Sequence, residues 1–125
     1  MKILLVEDNL LNQKVVIFNL RKYNYNITAV VNGLDAIDKF KNNTFDLILM
    51  DIMLPDLNGF EITLEIRKLE KKKNIKNPVP IVAITANTLD NERCKCIEAG
   101  MNDYLSKPFT SIQLVEKIDQ FFRVE

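Results

Sequence analysis

The chain has 125 residues, of which 47% are hydrophobic and 27% are charged. These values exclude an intrinsically disordered protein and predict one domain, 1–125, with a buried core. The 17 basic and 17 acidic residues cancel in charge, and no segment approaches the length of a membrane span, so we expect no nucleic-acid or membrane partner. The N-terminal apolar run is too short for a signal peptide, and the expected compartment is the cytoplasm.

Five apolar runs of strand length recur along the chain. They are KILLV, ITAVV, LILM, PIVAIT and DYLS, at 2–6, 27–31, 47–50, 80–85 and 103–106. The first, third and fourth are continuous rather than alternating, which is typical of strands buried on both faces of a parallel sheet. The second and fifth contain Thr28 and Ser106, and they suit the edges of that sheet.

Segments with helical periodicity lie between these runs. In the second such segment, Ala36, Ile37 and Phe40 share one helix face. Farther along the chain, Gly100 fits a helix C-cap and Thr110 fits a helix N-cap. Strand and helix therefore alternate five times, which predicts an α/β protein: a doubly wound (βα)5 fold with a five-stranded parallel sheet.

Two segments have a functional and a structural interpretation. The run KLEKKKNIKN at 68–77 is interpreted as a solvated helix end and loop in preference to a basic contact patch, because it is short and the chain is neutral. Cys94 and Cys96 are interpreted as reduced residues, one packed and one exposed. Helical spacing points them to different sides, and the chain has no histidine to complete a metal site.

Polar side chains follow four of the five predicted strands. Glu7 and Asp8 follow the first strand and Asp51 the third. Thr85 ends the fourth run, and Lys107 follows the fifth. The carboxyl ends of parallel strands meet at one edge of the sheet, where ligands bind. The sequence therefore predicts three acids, one hydroxyl and one amine at the same edge.

These residue types suit phosphoryl transfer. Three neighbouring carboxylates repel one another unless a cation is present, and Mg²⁺ with oxygen ligands is such a cation. Glu7 and Asp8 would hold the metal, while Asp51, fixed at a strand end, is the candidate nucleophile that forms an acyl phosphate. Thr85 and Lys107 would bind the phosphoryl oxygens. Helix caps and turns are the alternative, which accounts for single residues but not for the whole set.

Four segments closely resemble the signature segments of response-regulator receiver domains, the CheY-like family. They cover nearly the whole chain and read ILLVEDN, DLILMDIMLPDLNGFE, PIVAITAN and AGMNDYLSKPF. Receivers of hybrid sensor kinases are the most similar. The resemblance implies the flavodoxin-like strand order 2-1-3-4-5. It also implies a signalling phosphoacceptor rather than a conventional enzyme, in which Asp51 receives a phosphoryl group from a sensor histidine kinase or a histidine phosphotransfer protein.

The resemblance also assigns the metal ligands. Glu7 and Asp8 match the acidic pair of the family, Asp51 completes the carboxylates, and the backbone carbonyl of Met53 matches the third protein ligand to Mg²⁺. Because the chain has no histidine, it cannot be its own phosphohistidine donor. The side chains of Met53 and Asn87 match positions that influence hydrolysis, and they predict a moderate to slow phosphate lifetime, which a half-life of only seconds would contradict.

The conformational switch is implied by the resemblance as well. Thr85 and Lys107 match the switch and phosphate-pairing positions, and Tyr104 matches the aromatic residue that turns inward when Thr85 moves towards the phosphoryl group. For Tyr104, half-buried packing without switching is the alternative. The Lys107–Pro108 peptide is cis in relatives.

The partner surface has two interpretations at this stage. Leu10 and Leu11 begin the first predicted helix near the site. Both pack in the core on one interpretation, whereas on the other an exposed Leu11 forms part of the docking surface for the histidine donor. The resemblance to receivers also raises a homodimer through helix 4, strand 5 and helix 5, which the sequence leaves open. The chain is either a single-domain regulator or one domain of a longer protein.

Three other functions stay open. Phosphatases of the haloacid-dehalogenase type use a similar strand-end aspartate, but their second aspartate stands where this chain has Met53. A flavodoxin-like electron carrier needs a loop rich in Ser, Thr and Gly after the first strand, where this chain has Glu7, Asp8 and Asn9. A non-phosphorylated interaction module usually lacks one of the acids or the lysine.

Overall fold

The computed structural model describes residues 2–52, 54, 56–85, 90–107 and 109–121. Within them, strands and helices alternate as predicted. The strands are β1 (Lys2–Val6), β2 (Asn26–Val30), β3 (Leu47–Asp51), β4 (Ile81–Thr85) and β5 (Asp103–Ser106). The helices are α1 (Leu10–Leu20), α2 (Gly33–Asn42), α3 (Gly59–Lys72), α4 (Asp90–Ala99) and α5 (Ser111–Asp119), with a short 3-10 helix at Arg21–Tyr23.

The five strands form one parallel sheet in the order β2-β1-β3-β4-β5. This order confirms both the predicted fold class and the strand order implied by the resemblance. The runs that contain Thr28 and Ser106 are the two edge strands, as predicted. β2 is shifted by one residue from the predicted run, since it begins at Asn26, which pairs with Lys2, and ends at Val30 rather than at Val31.

The sheet separates two hydrophobic cores, since successive strand residues point to opposite faces. Leu4 and Ile48 lie on the face covered by α2, α3 and α4, and Ile3 and Leu49 on the face covered by α1 and α5. Every residue of β3 and β4 is buried. The carboxyl ends of these two strands are therefore held by packing on both faces, which fixes the side chains that extend from them.

In the parts of the chain that the structure describes, four helices begin with a side-chain cap, in which an asparagine or threonine oxygen accepts the amide hydrogen three residues later. The capping residues are Asn9, Asn32, Asn58 and Thr110. Thr110 is the predicted cap, and Gly100 follows α4 with φ of +102°, as expected after a helix C-terminus. Among the described residues, no helix combines the length and the apolar character that a bilayer span requires.

The lysine-rich run ends α3 and is exposed from residue 71 to 77, which confirms the solvated interpretation for that part. The interpretation is wrong at Glu70, which is 4% exposed. Its carboxylate accepts hydrogen bonds from Arg67 Nη1 at 2.7 Å and from the Val79 amide at 2.6 Å, and these partners compensate its burial. Cys96 is buried, as predicted for one of the two cysteines.

Candidate functional site

Glu7 and Asp8 lie directly after β1. The Glu7 amide donates a hydrogen bond to the Val30 carbonyl at 3.1 Å, which continues the β1–β2 ladder by one residue. Glu7 is 2% exposed, whereas Asp8 is exposed. A buried carboxylate is unfavourable without partners, and Glu7 Oε1 accepts a hydrogen bond from Asn12 Nδ2 at 2.9 Å. This strand end therefore holds one carboxylate inside the site and one at its rim.

Asp51 is the last residue of β3 and is 5% exposed. It pairs with Ile84 in the parallel register of β3 and β4. One carboxylate oxygen from each of Glu7, Asp8 and Asp51 lies within 4.8 Å of the other two. We call these three residues the acid cluster. The structure thus brings together the three acids that the sequence places at this edge of the sheet.

Lys107 contributes a positive charge to the acid cluster. Its Nζ lies 3.5 Å from Glu7 Oε2 and 3.6 Å from Asp51 Oδ2. Two unit charges ~4 Å apart near a protein surface interact by about 4 kcal/mol. One lysine therefore offsets only part of the repulsion among three carboxylates. The remaining negative charge suits a divalent cation.

The ligand atoms of the acid cluster fit Mg²⁺ better than a softer metal. Mg²⁺ takes oxygen ligands in octahedral geometry, and it usually keeps several waters beside one or two carboxylates. The cluster offers carboxylate oxygens only, and the exposed Asp8 leaves one side open to water and to a phosphate oxygen. Zinc sites in proteins mostly use cysteine and histidine, which the cluster lacks.

Thr85 and Tyr104 lie on the two strands beyond β3. Thr85 is the last residue of β4 and is 6% exposed, and its carbonyl accepts a hydrogen bond from the Lys107 amide at 2.8 Å. Tyr104 is half-buried on β5 and packs against the core on the side of α2, α3 and α4.

Three other predictions fall outside the described residues, namely the Met53 carbonyl ligand, the Asn87 side chain and the cis peptide before Pro108.

Gln13 is a buried polar residue that the sequence analysis missed. It lies on α1 and is 8% exposed. Its Nε2 donates hydrogen bonds to the carbonyls of Glu7 at 2.8 Å and Val30 at 2.9 Å. These bonds join the ends of β1 and β2 and fix the backbone that carries Glu7. A glutamine in the first turns of a helix is usually solvated, so the sequence gives no signal for this contact.

Asp56, in the loop between β3 and α3, was missed as well. Its Oδ1 accepts a hydrogen bond from the Gly33 amide at 2.9 Å, and its Oδ2 accepts one from the Leu34 amide at 3.0 Å. These bonds, that from Gly33 foremost, hold the pKa of the Asp56 carboxyl below its ordinary value of 3.8. The partners are 23 and 22 residues away, so no local pattern marks the contact.

Gly59 closes the same loop against the end of β3. Its amide donates a hydrogen bond to the Ile52 carbonyl at 2.9 Å. A Cβ at this position would lie 2.9 Å from Ile52 Cα and 3.1 Å from the Asp51 carbonyl oxygen. Both are backbone atoms that cannot move aside, so the close approach of α3 to the strand end requires glycine.

An apolar surface on α1 flanks the site. Leu10 and Leu11 are 62% and 69% exposed, which rules out the core-packing alternative for both residues. Val15 and Phe18, on the following turns, are exposed as well. We call Leu11, Val15 and Phe18 the α1 surface, because their spacing places them on one side of the helix. Val15 also lines a mainly apolar cleft of about 470 Å³ that reaches Lys107.

Comparison with known protein families and relatives points to one family. The family model described as the response regulator receiver domain matches residues 3–119. Hybrid signal transduction histidine kinase B of Dictyostelium discoideum is 42% identical over 127 residues, which cover 93% of this chain and 6% of the kinase. The chain thus spans a small fraction of this curated relative.

Two solved structures share the fold. The receiver domain of sensor histidine kinase PA1611 from Pseudomonas aeruginosa PAO1 has a magnesium ion coordinated in its active-site cleft. It is 43% identical with a TM-score of 0.84, over 96% of this chain and 95% of that chain. A co-crystal structure from Saccharomyces cerevisiae contains the histidine phosphotransfer protein Ypd1 and the receiver domain of its downstream response regulator Ssk1. The matched chain of this structure is 35% identical to this chain, with a TM-score of 0.92. The match covers 97% of this chain and 88% of that chain.

Proposed function

Since the chain belongs to the response-regulator receiver domain family, we propose that it accepts a phosphoryl group from a partner phosphohistidine onto Asp51. The observation that carries this proposal is the acid cluster with Lys107, whose Nζ lies 3.6 Å from Asp51 Oδ2. The chain contains no histidine, so the phosphohistidine belongs to another domain or protein.

In the proposed reaction, a carboxylate oxygen of Asp51 attacks the phosphorus atom of the phosphohistidine. An oxygen–phosphorus bond forms, the nitrogen–phosphorus bond breaks, and the imidazole leaves with the electron pair. Asp51 suits this role because burial of β3 holds its carboxylate in one place. Lys107 pairs with the phosphoryl oxygens, and the Thr85 hydroxyl donates a hydrogen bond to one of them.

We propose Mg²⁺ as the cofactor of this reaction. Glu7, Asp8 and Asp51 would hold the ion through carboxylate oxygens, and the Met53 carbonyl would be the further protein ligand. When bound, the ion neutralises charge on the phosphoryl oxygens. The spacing of the acid cluster supports this proposal, as does the magnesium ion in the Pseudomonas relative.

Thr85 and Tyr104 form the proposed switch. Phosphorylation brings about −2 of charge to the site, and the Thr85 hydroxyl moves towards the phosphoryl oxygens. Tyr104 then turns inward, which shifts the population towards a second arrangement of α4 and β5. The half-buried position of Tyr104 beside the core is compatible with two orientations. If Tyr104 only packs, its ring resonances in an NMR spectrum stay the same after phosphorylation.

The domain acts as a signalling phosphoacceptor rather than as a conventional enzyme, and its own catalysis is limited to phosphotransfer and slow autodephosphorylation. At residue 53 the chain has methionine, which offers no acid or amide group to position an attacking water. With Asn87 at the second position, we propose a moderate to slow phosphate lifetime. A half-life of only seconds would contradict this.

A sensor histidine kinase or a histidine phosphotransfer protein is the proposed partner, and it docks on the α1 surface. The exposure of Phe18, 71%, and the Ypd1 complex of the relative support this proposal. Phe18→Ser should slow transfer from a phosphorylated phosphotransfer protein and leave phosphorylation by acetyl phosphate unchanged. Leu64→Ser, at an exposed leucine on α3, is the matched control and should change neither rate.

Two proposals concern the context of the domain. Because histidine kinases draw their phosphoryl group from ATP, we propose that the domain works in the cytoplasm, either as a stand-alone regulator or within a hybrid kinase. We also propose a phosphorylation-dependent homodimer through α4, β5 and α5. Ile97 on α4, which is 54% exposed, supports this surface, and the mass in solution with and without phosphorylation tests it.

The decisive experiment is intact-protein mass spectrometry after incubation with acetyl phosphate, with and without Mg²⁺. The natural sequence should gain one phosphoryl group only with Mg²⁺, and Asp51→Asn should gain none. Asp38→Asn, on the surface of α2, is the control that should behave like the natural sequence. No gain from acetyl phosphate or from a phosphorylated phosphotransfer protein would favour a non-phosphorylated interaction module.

A further inference from the structure

The loop between β3 and α3 is held to the rest of the protein at several points. Gly59 donates its amide hydrogen to the Ile52 carbonyl, as described above. Leu57 is partly buried and packs against the core, and it lies so close to Gly33 that a Cβ there would be 3.0 Å from Leu57 Cβ. The part of this loop at Leu57 is therefore packed against the start of α2.

Asp56 adds a polar contact at the same place. Gly33 and Leu34 are the first two residues of α2, where amide hydrogens have no partner within the helix. The cap of α2 itself, Asn32, accepts the amide hydrogen of Asp35 at 2.8 Å. Asp56 satisfies the two preceding amides with its two carboxylate oxygens. The negative charge also complements the positive end of the helix dipole.

We propose that Asp56 is a positioning residue for phosphoryl transfer, because it fixes the loop that follows Asp51 and so maintains the geometry of the metal site. This inference rests on the proposed function. In that proposal, residue 53 supplies a carbonyl to Mg²⁺, and described residues before and after it in the sequence are held by hydrogen bonds. On one side, the Ile52 amide donates to the Ile84 carbonyl at 3.3 Å. On the other side, Asp56 is bonded to α2.

The contact between Asp56 and α2 has two effects that experiments can separate, one on the stability of α2 and one on the metal site. Loss of the two hydrogen bonds weakens the start of α2, which lowers thermal stability whatever the site does. Loss of the loop position changes the metal site, which lowers Mg²⁺ affinity in protein that is still folded. Only the second effect belongs to a positioning residue, since metal affinity is sensitive to residues that orient the ligands.

The test is an NMR titration of the folded protein with Mg²⁺, for the natural sequence and for two variants. Asp56→Ala removes both acceptor oxygens, and we expect it to raise the Kd for Mg²⁺ about tenfold. Asp56→Asn removes the charge but keeps one carbonyl oxygen. Its Kd for Mg²⁺ should lie between those of the natural sequence and of Asp56→Ala. Amide hydrogen exchange at Gly33 and Leu34 should become faster in the same order, which reports the loop contact without any metal.

Asp35→Ala is the matched control, because it removes a negative charge from the same end of α2 without touching the loop. Its Kd for Mg²⁺ should stay within about twofold of the natural value. Asp56→Ala with a lower melting temperature but an unchanged Kd would overturn the proposal. An Asp56→Asn variant that binds Mg²⁺ as weakly as Asp56→Ala would also overturn it, since the loss of charge alone would then explain the higher Kd. If the natural sequence itself binds no Mg²⁺, the proposed function fails, and this inference fails with it.

Discussion

At the scale of single residues, Lys107 would compete with the proposed Mg²⁺ for the same carboxylates. The Nζ atom of Lys107 lies 3.5 Å from Glu7 Oε2 and 3.6 Å from Asp51 Oδ2. We predict that Lys107→Ala tightens Mg²⁺ binding about threefold to tenfold, roughly 0.7–1.4 kcal/mol, because the acid cluster loses its counter-charge. The same variant should accept a phosphoryl group more slowly, since no lysine neutralises the phosphoryl oxygens.

The measurement is a Mg²⁺ titration followed by NMR, together with the rate of phosphorylation by acetyl phosphate. Lys107→Arg keeps the positive charge and serves as the control, with a Mg²⁺ affinity close to the natural value. Weaker Mg²⁺ binding in Lys107→Ala would mean that the lysine organises the carboxylates rather than competing with the metal.

The carboxyl of Asp56 gives a prediction for pH dependence. Its pKa is lowered in the folded protein by the amide hydrogen bonds, that of Gly33 first. A lowered pKa contributes stability that is fully present above the ordinary value of 3.8 and is lost as the pH falls through the folded value. The difference in unfolding free energy between the natural sequence and Asp56→Ala should therefore narrow below pH 3.8.

Urea unfolding at a series of pH values measures this difference. The two proteins share every ionisable group except Asp56, so the contributions of the other groups largely cancel in the comparison. A difference that stays constant to the lowest pH at which both proteins fold would show that the charged form of Asp56 is not the one bound to α2.

At the scale of elements, a polar network joins α3, β4 and the turn before β5, at the end of the sheet opposite the acid cluster. Arg67 lies at its centre. Its guanidinium donates hydrogen bonds to the Gly100 carbonyl at 2.8 and 3.0 Å, to Glu70 at 2.7 Å and to Asn102 Oδ1 at 2.9 Å. Asn102 Oδ1 also accepts the Ile81 amide at 2.9 Å, so one side chain connects the starts of two strands.

Arg67→Ala should lower the free energy of unfolding by about 3–5 kcal/mol, because it leaves the buried Glu70 carboxylate without its counter-ion. Urea unfolding monitored by circular dichroism measures the loss. Lys68→Ala is the matched control, since Lys68 pairs with Glu65 at 3.3 Å on the exposed side of the same helix. Lys68→Ala should lower the free energy of unfolding by about 1 kcal/mol or less. Equal losses in the two variants would show that burial of the Arg67 network does not contribute to stability.

The elements themselves were largely predictable, and the network was not. Continuous apolar runs identified β1, β3 and β4 because a strand buried on both faces leaves no room for polar residues. Thr110 identified the start of α5 because capping depends on residues only three positions apart. Arg67 and Gly100 are 33 residues apart, and their contact exists only after α3 and α4 have packed on the sheet. Nothing near Glu70 in the lysine-rich run shows that this acid is buried.

At the scale of the whole molecule, Mg²⁺ should stabilise the fold, because a ligand that binds only the native state adds its binding free energy to stability. At a concentration of about 100 times the Kd, the gain is about 2.7 kcal/mol. We predict a higher melting temperature with Mg²⁺ than with a chelator, measured by calorimetry. Asp8→Asn should abolish most of this increase.

Asp8→Asn should also leave the metal-free protein as stable as the natural sequence or slightly more stable. Asp8 is exposed and adds a like charge to Glu7 and Asp51, so its neutralisation relieves repulsion. A clear loss of metal-free stability in this variant would show that Asp8 has a structural role apart from the acid cluster.

The position of the site follows from the sheet, which is why the sequence could predict it. Once β1, β3, β4 and β5 are recognised as parallel strands, Glu7, Asp51 and Lys107 must meet at their carboxyl ends. The residues that hold this edge in place were not predictable. Gln13 reaches two carbonyls from a helix, and Asp56 reaches amides more than twenty residues away, so both depend on tertiary contacts that leave no local pattern.

The ion pair between Glu7 and Lys107 joins residues that are 100 positions apart, and it has a consequence for protein synthesis. At ~5–20 residues per second, a ribosome needs about 5–20 s to proceed from one residue to the other. Asp51 is added about midway through this interval, and from then on the nascent chain contains Asp51 but cannot form the site, because β5 has not been made. On the proposed function, a chain that lacks β5 would therefore be unable to accept phosphoryl groups from its donor. Only the completely synthesised and folded domain would take part in signalling.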